Sequence, residues 1–345
     1  MNLQSLSKFP IIQGPMAGGA TTPELVAAVS NAGGLGSLAA SLLSPAGIQD
    51  QVARVRSLST APFLINLFVL KTPAPSEQQI ADAVGLLKPL WQSLGWDAFP
   101  RPAKWCEDFD AQFDALIAAR PAAASFTFGI LSAAQVERMH DAGIFVIGTA
   151  TTVAEVQAWE TVGADAVVAS GVESGGHRGT FLVPQEEATL PAREFWPLAA
   201  AAVKIPVIAA GAIMTGVDIR EALSLGAQAV QMGSAFLVCD ESGINATYRR
   251  ALLEVGDKPT RLTRVFSGRY ARGIENRFMR EMEDVAKAIP AYPVQNALTT
   301  PIRAAAAAKG DPELMSLWAG TAIGRARPMP VAALMQMLVA EMRDQ

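Results

Sequence analysis

The residues best suited to chemistry in this chain are Gly175-Gly176-His177-Arg178-Gly179. They follow the apolar run Ala166-Val167-Val168-Ala169-Ser170, and His177 is one of only two histidines in 345 residues. A short β-branched run bounded by glycines reads as a buried strand. A glycine-dense loop at its end lets backbone approach a ligand, because glycine has no Cβ in the way. Imidazole titrates nearest neutrality, so His177 suits either proton transfer or the holding of an anion. A loop histidine satisfied by backbone is the plain structural alternative. The other histidine, His140, lies beside Asp141 at the polar end of a helical segment and reads as a surface residue.

Two further loops share a pattern. Ala210-Gly211-Ala212 closes one apolar run, and Gln231-Met232-Gly233-Ser234 closes the next. Gly211, Gly233 and Ser234 can present unobstructed N–H groups, and a helix starting near Ser234 adds its positive end, which together suit a phosphate. Small residues at crowded strand ends would also explain them. Near the N-terminus, Gln13-Gly14-Pro15-Met16-Ala17-Gly18-Gly19 sets a rigid proline among glycines. That is a flat platform for a planar ring, or simply a tight turn. Asn66 stands inside the apolar run Phe63 to Leu70 and needs polar partners if buried. Its amide donates and accepts, as the edge of a pyrimidine-like ring requires.

Other motifs are wrong in context or missing. Gly34-Leu35-Gly36-Ser37-Leu38-Ala39 matches G-x-G-x-x-A, but it leaves a helix and enters a strand, the reverse of a dinucleotide-binding turn. Those glycines are expected to end a helix and open a strand. No H-E-x-x-H, Cys/His set, acidic cluster or G-x-S-x-G elbow occurs, so neither a catalytic metal nor a serine nucleophile is expected.

The elements that must position these residues alternate regularly. Apolar runs at 11–13, 35–38, 63–67, 124–128, 144–147, 166–169, 206–210 and 229–232 read as eight strands. Amphipathic helices fit 23–29, 132–142, 153–162 and 217–225, with Thr22 as N-cap, Pro23 at the first helical position, and Gly143, Gly163 and Gly226 as C-caps. Eight strands with helical crossovers imply an α/β fold with a parallel sheet, and the strand count favours a closed TIM (β/α)8 barrel over an open sheet. Residues 1–240 are expected to form that barrel. Lys71 to Trp105, rich in Pro and Trp, reads as a lid-like insertion after the third strand. Residues 241–345 read as a helical C-terminal elaboration, clearest at 303–309 and 330–342.

Composition narrows the setting. A net charge of −4 with mixed signs gives no basic footprint, so no nucleic-acid partner is expected. The apolar stretch 198–214 is broken by Lys204 and Pro206, so no membrane span is expected. No signal peptide is evident at the N-terminus. Cys106 and Cys239 form no framework and are expected to be buried thiols in a reduced, cytoplasmic protein.

Assembled, these segments resemble the nitronate monooxygenase family, formerly called 2-nitropropane dioxygenases. The resemblance rests on residues 12–18, 30–36, 173–179, 209–213 and 226–234, in that order along the first 240 residues. It implies a TIM barrel with non-covalent FMN that oxidises alkyl nitronates with O2 to a carbonyl compound and nitrite, through one-electron transfer to the flavin. By the same resemblance Gln13, Gly14, Pro15, Met16 and Ala17 lie beneath the flavin ring, and Asn66 contacts it. Gly175 and Gly176 belong to a flavin-contacting loop, while Gly211, Gln231, Met232, Gly233 and Ser234 hold the phosphate. His177 matches the active-site histidine, as base toward a neutral nitroalkane or as donor to a nitronate. Ser170 stands near the flavin where many members carry Gln. A homodimer is a family-level expectation. The alternatives are a flavin-dependent NAD(P)H:quinone or enoyl-acyl-carrier-protein reductase of the same superfamily, and a non-catalytic flavin- or phosphate-binding barrel.

Overall fold

The short apolar runs pair side by side in the computed structural model, which describes residues 2–256 and 259–343. Met1, Asp257, Lys258, Asp344 and Gln345 fall outside it, and with them the outer ends of the spans 1–240 and 241–345. The strands are β1 (Ile11–Gln13), β2 (Gly36–Ala39), β3 (Phe63–Phe68), β4 (Ala123–Thr127), β5 (Phe145–Ala150), β6 (Ala166–Ser170), β7 (Gly176–His177), β8 (Val207–Ala210), β9 (Ala229–Met232), β10 (Thr260–Thr263) and β11 (Ala271–Ile274). Eight of them run parallel in the order β1-β9-β8-β6-β5-β4-β3-β2. A parallel bridge between Ile12 and Leu35 joins the two ends of that sheet and closes the barrel.

Side chains alternate along each strand, as a period of two requires. Ile12, Leu64, Ile147, Val168, Ile208 and Ala229 point into the barrel, where Leu3 and Leu6 join them. Gln4 donates to the side chain of Gln228 just ahead of β9, which places this plug at the N-terminal ends of the strands. The intervening residues, among them Ile11, Ile65, Val167 and Val230, pack outward against helices such as Pro23–Asn31 and Ala192–Ala202. Thr22 caps the first of these by accepting from Leu25 N, a contact worth about 1 kcal/mol. Gly143, Gly163 and Gly226 follow their helices at φ of +74°, +92° and +97°, the left-handed backbone that a C-cap glycine supplies.

A third apolar cluster lies outside the barrel. The insertion forms two helices, Glu77–Leu86 and Lys88–Ser93; their Ile80, Leu90 and Trp91, with Leu87 between them, pack in one core with Phe266, Phe278, Leu298 and Leu314. Lid and C-terminal region therefore share a core, forming a single cap.

The C-terminal third is less purely helical than expected. β10 and β11 form an antiparallel hairpin, and β11 pairs with β7 so that Ala271 opposes His177 and Arg272 opposes Gly176. The helix expected at 303–309 begins earlier, spanning Val294–Ala308 with Pro301 inside it; the last helix is Val331–Arg343. Cys239 is buried, whereas Cys106 is only partly so. No helix among the described residues is long and apolar enough to cross a membrane.

Candidate active site

Loops at the C-terminal ends of the barrel strands enclose a cavity of about 520 Å³, roofed by the cap. Of the residues singled out in the sequence, Gly14, Pro15, Met16, Ala17, Asn66, Ser170, Gly175, Gly176, His177, Gly211, Gln231, Met232, Gly233 and Ser234 all line it. Gln13 does not. Its side chain is fully buried, accepts from Ser37 N at 2.9 Å and donates to Gly14 O, so it supports the turn from behind.

Local chemistry explains how each loop holds its shape. The turn after β1 is closed by Thr21, whose Oγ1 accepts from Met16 N at 3.0 Å, and Gly18 and Gly19 take φ of +84° and +99°. Asn66 is buried among hydroxyls: Nδ2 donates to Ser125 Oγ at 2.9 Å and Thr127 Oγ1 at 3.3 Å. Ser170 Oγ donates to Ser174 Oγ at 2.9 Å. A Cβ on Gly175 would sit 2.5 Å from Gly320 N, so this glycine allows the loop to pack on the cap's backbone. Gly233 is different, because a Cβ there would meet nothing nearer than Met16 Sδ at 4.0 Å. The N–H groups of Gly211, Ala212, Gly233 and Ser234 donate to no acceptor among the described residues. Two adjacent glycine loops thus leave four backbone donors without acceptors among the cavity's lining residues.

His177 lines the same cavity, boxed by rings. Phe128, Tyr292 and Trp318 have ring centroids 5.5, 5.5 and 5.4 Å from the imidazole. Phe128 takes φ +78°, a strained conformation for a bulky residue, and its ring carries the Arg269 guanidinium at 4.2 Å. The loop itself is pinned from three directions. Buried Arg178 donates to Gly171 O at 2.5 Å and Ala188 O at 3.2 Å, and Arg269 donates to Arg178 O at 2.9 Å. Glu155, fully buried, accepts from Thr151 N and Phe181 N at 2.7 and 2.5 Å and from Leu182 N at 3.0 Å.

The hydrogen bonds around Ser267 favour one tautomer of His177. Its Nε2 lies 2.8 Å from Ser267 Oγ, and that hydroxyl donates its one hydrogen to Arg269 O at 2.9 Å. With that hydrogen on Arg269 O, Nε2 carries the ring proton, and Nδ1 is left as a lone pair with no partner among the described residues. Burial, then the charges of Arg269 and Arg303, push the imidazole pKa down to about 3, so the ring is neutral. His140, by contrast, lies at the surface 2.9 Å from Asp165 Oδ2.

Sequence reading missed every cap residue around His177: Ser267, Arg269, Tyr292, Arg303 and Trp318. It also missed Phe128. The only signal was the Ser267-Gly268 pair between two short alternating runs, which marks a hairpin turn.

Comparison with known proteins gives a consistent picture. The nitronate monooxygenase family model matches residues 2–341. A probable nitronate monooxygenase from Staphylococcus aureus strain JH9 is 39% identical over 338 residues, covering 98% of this chain and 95% of that protein. Among solved structures, a nitroalkane oxidase from Streptomyces ansochromogenes is 40% identical with a TM-score of 0.91, covering 99% of this chain and 97% of that one. FabK from Thermotoga maritima is more distant, at 25% identity and a TM-score of 0.77, covering 99% of this chain and 95% of that one.

Proposed function

The chain belongs to the nitronate monooxygenase family, and on that premise we propose that it uses FMN and O2 to convert nitroalkanes, through their nitronates, to a carbonyl compound and nitrite. The observation that carries this reading is His177, its Nδ1 without a partner among the described residues, in the wall of a cavity that the Gly211 and Gly233 loops also line. A flavin mononucleotide suits that cavity. The N–H groups of Gly211, Ala212, Gly233 and Ser234 would hold its phosphate, the Gly14–Ala17 turn would lie under its ring, and the Asn66 amide would meet the ring edge. When bound, the flavin supplies the one-electron oxidant for the nitronate, with O2 as final acceptor.

The protein's own part is proton and charge management. Ser267 keeps the proton on Nε2, so Nδ1 accepts the α-proton of a bound nitroalkane. A pKa near 3 describes the ring with no anion beside it. As negative charge forms on the nitro oxygens it offsets the two guanidiniums, and the imidazole regains basicity at the moment the proton arrives. The rings of Phe128, Tyr292 and Trp318 keep water away from that transfer.

His177→Asn tests the assignment under air without pyridine nucleotide. Turnover of the neutral nitroalkane should fall by ~10²–10⁴-fold while the preformed nitronate is still oxidised. Equal losses on both substrates would overturn the base role. A requirement for NAD(P)H in the wild type would favour the reductase alternative.

A further inference from the structure

Arg303 lines the cavity, and three further arginines are tied to the His177 loop, each with carboxylates to answer it. Arg178 feels Glu155 and Glu173, Arg272 feels Glu173, and Arg269 feels Glu155. Arg303 has no such partner: among the described residues the only titratable group favouring its charge is Tyr292. It lines the same cavity as His177 and lies close enough to depress the proton affinity of that ring.

Its hydrogens meet only neutral acceptors. Nη1 donates to Ser316 Oγ at 3.2 Å, and Nη2 is shared among Asn296 Oδ1 at 2.9 Å, Asn296 O at 3.0 Å and Thr300 Oγ1 at 2.8 Å. Nε–H is buried with no acceptor among the described residues, and Nη1 has a second hydrogen to give. Burial lowers its pKa to about 10, which still leaves it charged at neutral pH. An enclosed cation without a counter-ion, and with donors to spare, is expensive to retain. An anion entering the cavity would answer both the charge and the missing acceptors.

We propose that Arg303 is the anion-holding residue of the site: its guanidinium takes the oxygens of the nitro group, selecting the nitronate and stabilising the charge that forms as His177 removes the proton. A planar guanidinium matches two coplanar oxygens in a way a lysine ammonium does not. Asn296, Thr300 and Ser316 aim it. This deepens the proposed function and rests on it for the identity of the anion.

The test uses flavin-loaded enzyme with Arg303→Gln, which removes the charge, and Arg303→Lys, which keeps charge without the fork. Kinetics with a preformed nitronate are paired with titration of nitrate, an unreactive planar anion, read by the fluorescence of Trp318 in the cavity wall and assigned with Trp318→Phe. In the wild type nitrate should give a saturable signal and compete with nitronate. Arg303→Gln should abolish that signal and raise the nitronate KM by roughly tenfold or more, as loss of a charge-assisted contact does, with Arg303→Lys intermediate and flavin content unchanged in both. Should Arg303→Gln fail to fold, the lysine variant and the wild-type titration still decide: no saturable nitrate signal in the wild type, or an unchanged nitronate KM in Arg303→Lys, overturns the proposal. So does loss of flavin with nitrate binding retained, because the cation would then serve the cofactor. A wild type that binds nitrate through Arg303 yet turns over no nitro compound would sink the proposed function and leave the anion site standing.

Discussion

Burial and two guanidiniums hold the His177 pKa near 3, whereas in an unfolded chain it returns to about 6.5. Between those values the unfolded state binds more protons than the folded one, so stability rises with pH across the window. The contribution is fully present above about pH 6.5 and is lost as pH falls toward 3. His177→Gln should therefore flatten the pH dependence of the denaturation midpoint between about pH 4 and 6.5, against the wild-type background set by the carboxylates. Equal slopes in the two proteins would show that His177 takes up its proton while folded. The same logic explains why Ser267 matters. With Nε2 committed to that hydroxyl, the ring can stay neutral and still present an acceptor to the cavity.

Glycines at the strand ends serve different elements, and substitution separates their tasks. A Cβ on Gly36 would lie 2.2 Å from Val26 O, against the backbone of the first helix, where nothing can yield cheaply. Gly36→Ala should therefore destabilise by about 1–3 kcal/mol or more, yet leave flavin stoichiometry per folded molecule unchanged. Gly233 faces open cavity, so Gly233→Leu should fold with a near-normal melting temperature but lose its flavin. The reverse pattern would revive the dinucleotide reading of residues 34–39. These elements were legible in the sequence because their signals are local. Helix caps, glycine stops and runs such as Phe63–Phe68 each announce themselves within a few residues. The β10–β11 hairpin does not. Its strands are four residues long, β10 buries only Thr263, and its partner β7 lies some ninety positions away, where Ser267 meets His177. Arg303 was hidden for a similar reason. An arginine on an alanine-rich helix reads as solvated until the fold shows that no carboxylate faces it.

At the scale of the molecule, the eight-stranded barrel carries the glycine loops while the cap carries Tyr292 and Trp318 beside His177. Insertion and C-terminal region are more than two hundred positions apart in places, and Lys309 still donates to Leu94 O at 2.8 Å across that junction. The cap meets the His177 loop through the β11–β7 ladder, the Ser267 and Arg269 hydrogen bonds and the surrounding rings, so damage to its core should reach chemistry before it reaches the cofactor. Leu87 is fully buried in the cap core, and Leu87→Ala should cost about 2–5 kcal/mol. Val52 is an equally buried residue of the barrel's outer layer and serves as the control, with Val52→Ala costing less because fewer methyl groups are lost. Amide exchange in Leu87→Ala should accelerate first in the Arg277–Met282 and Val294–Ala308 helices, with β4, β5 and β6 still protected. Turnover should fall while flavin content per molecule holds, because the glycine loops belong to the barrel. Uniform acceleration across barrel and cap would instead mean that the two cores open as one unit, and the lid could not then move independently of the flavin.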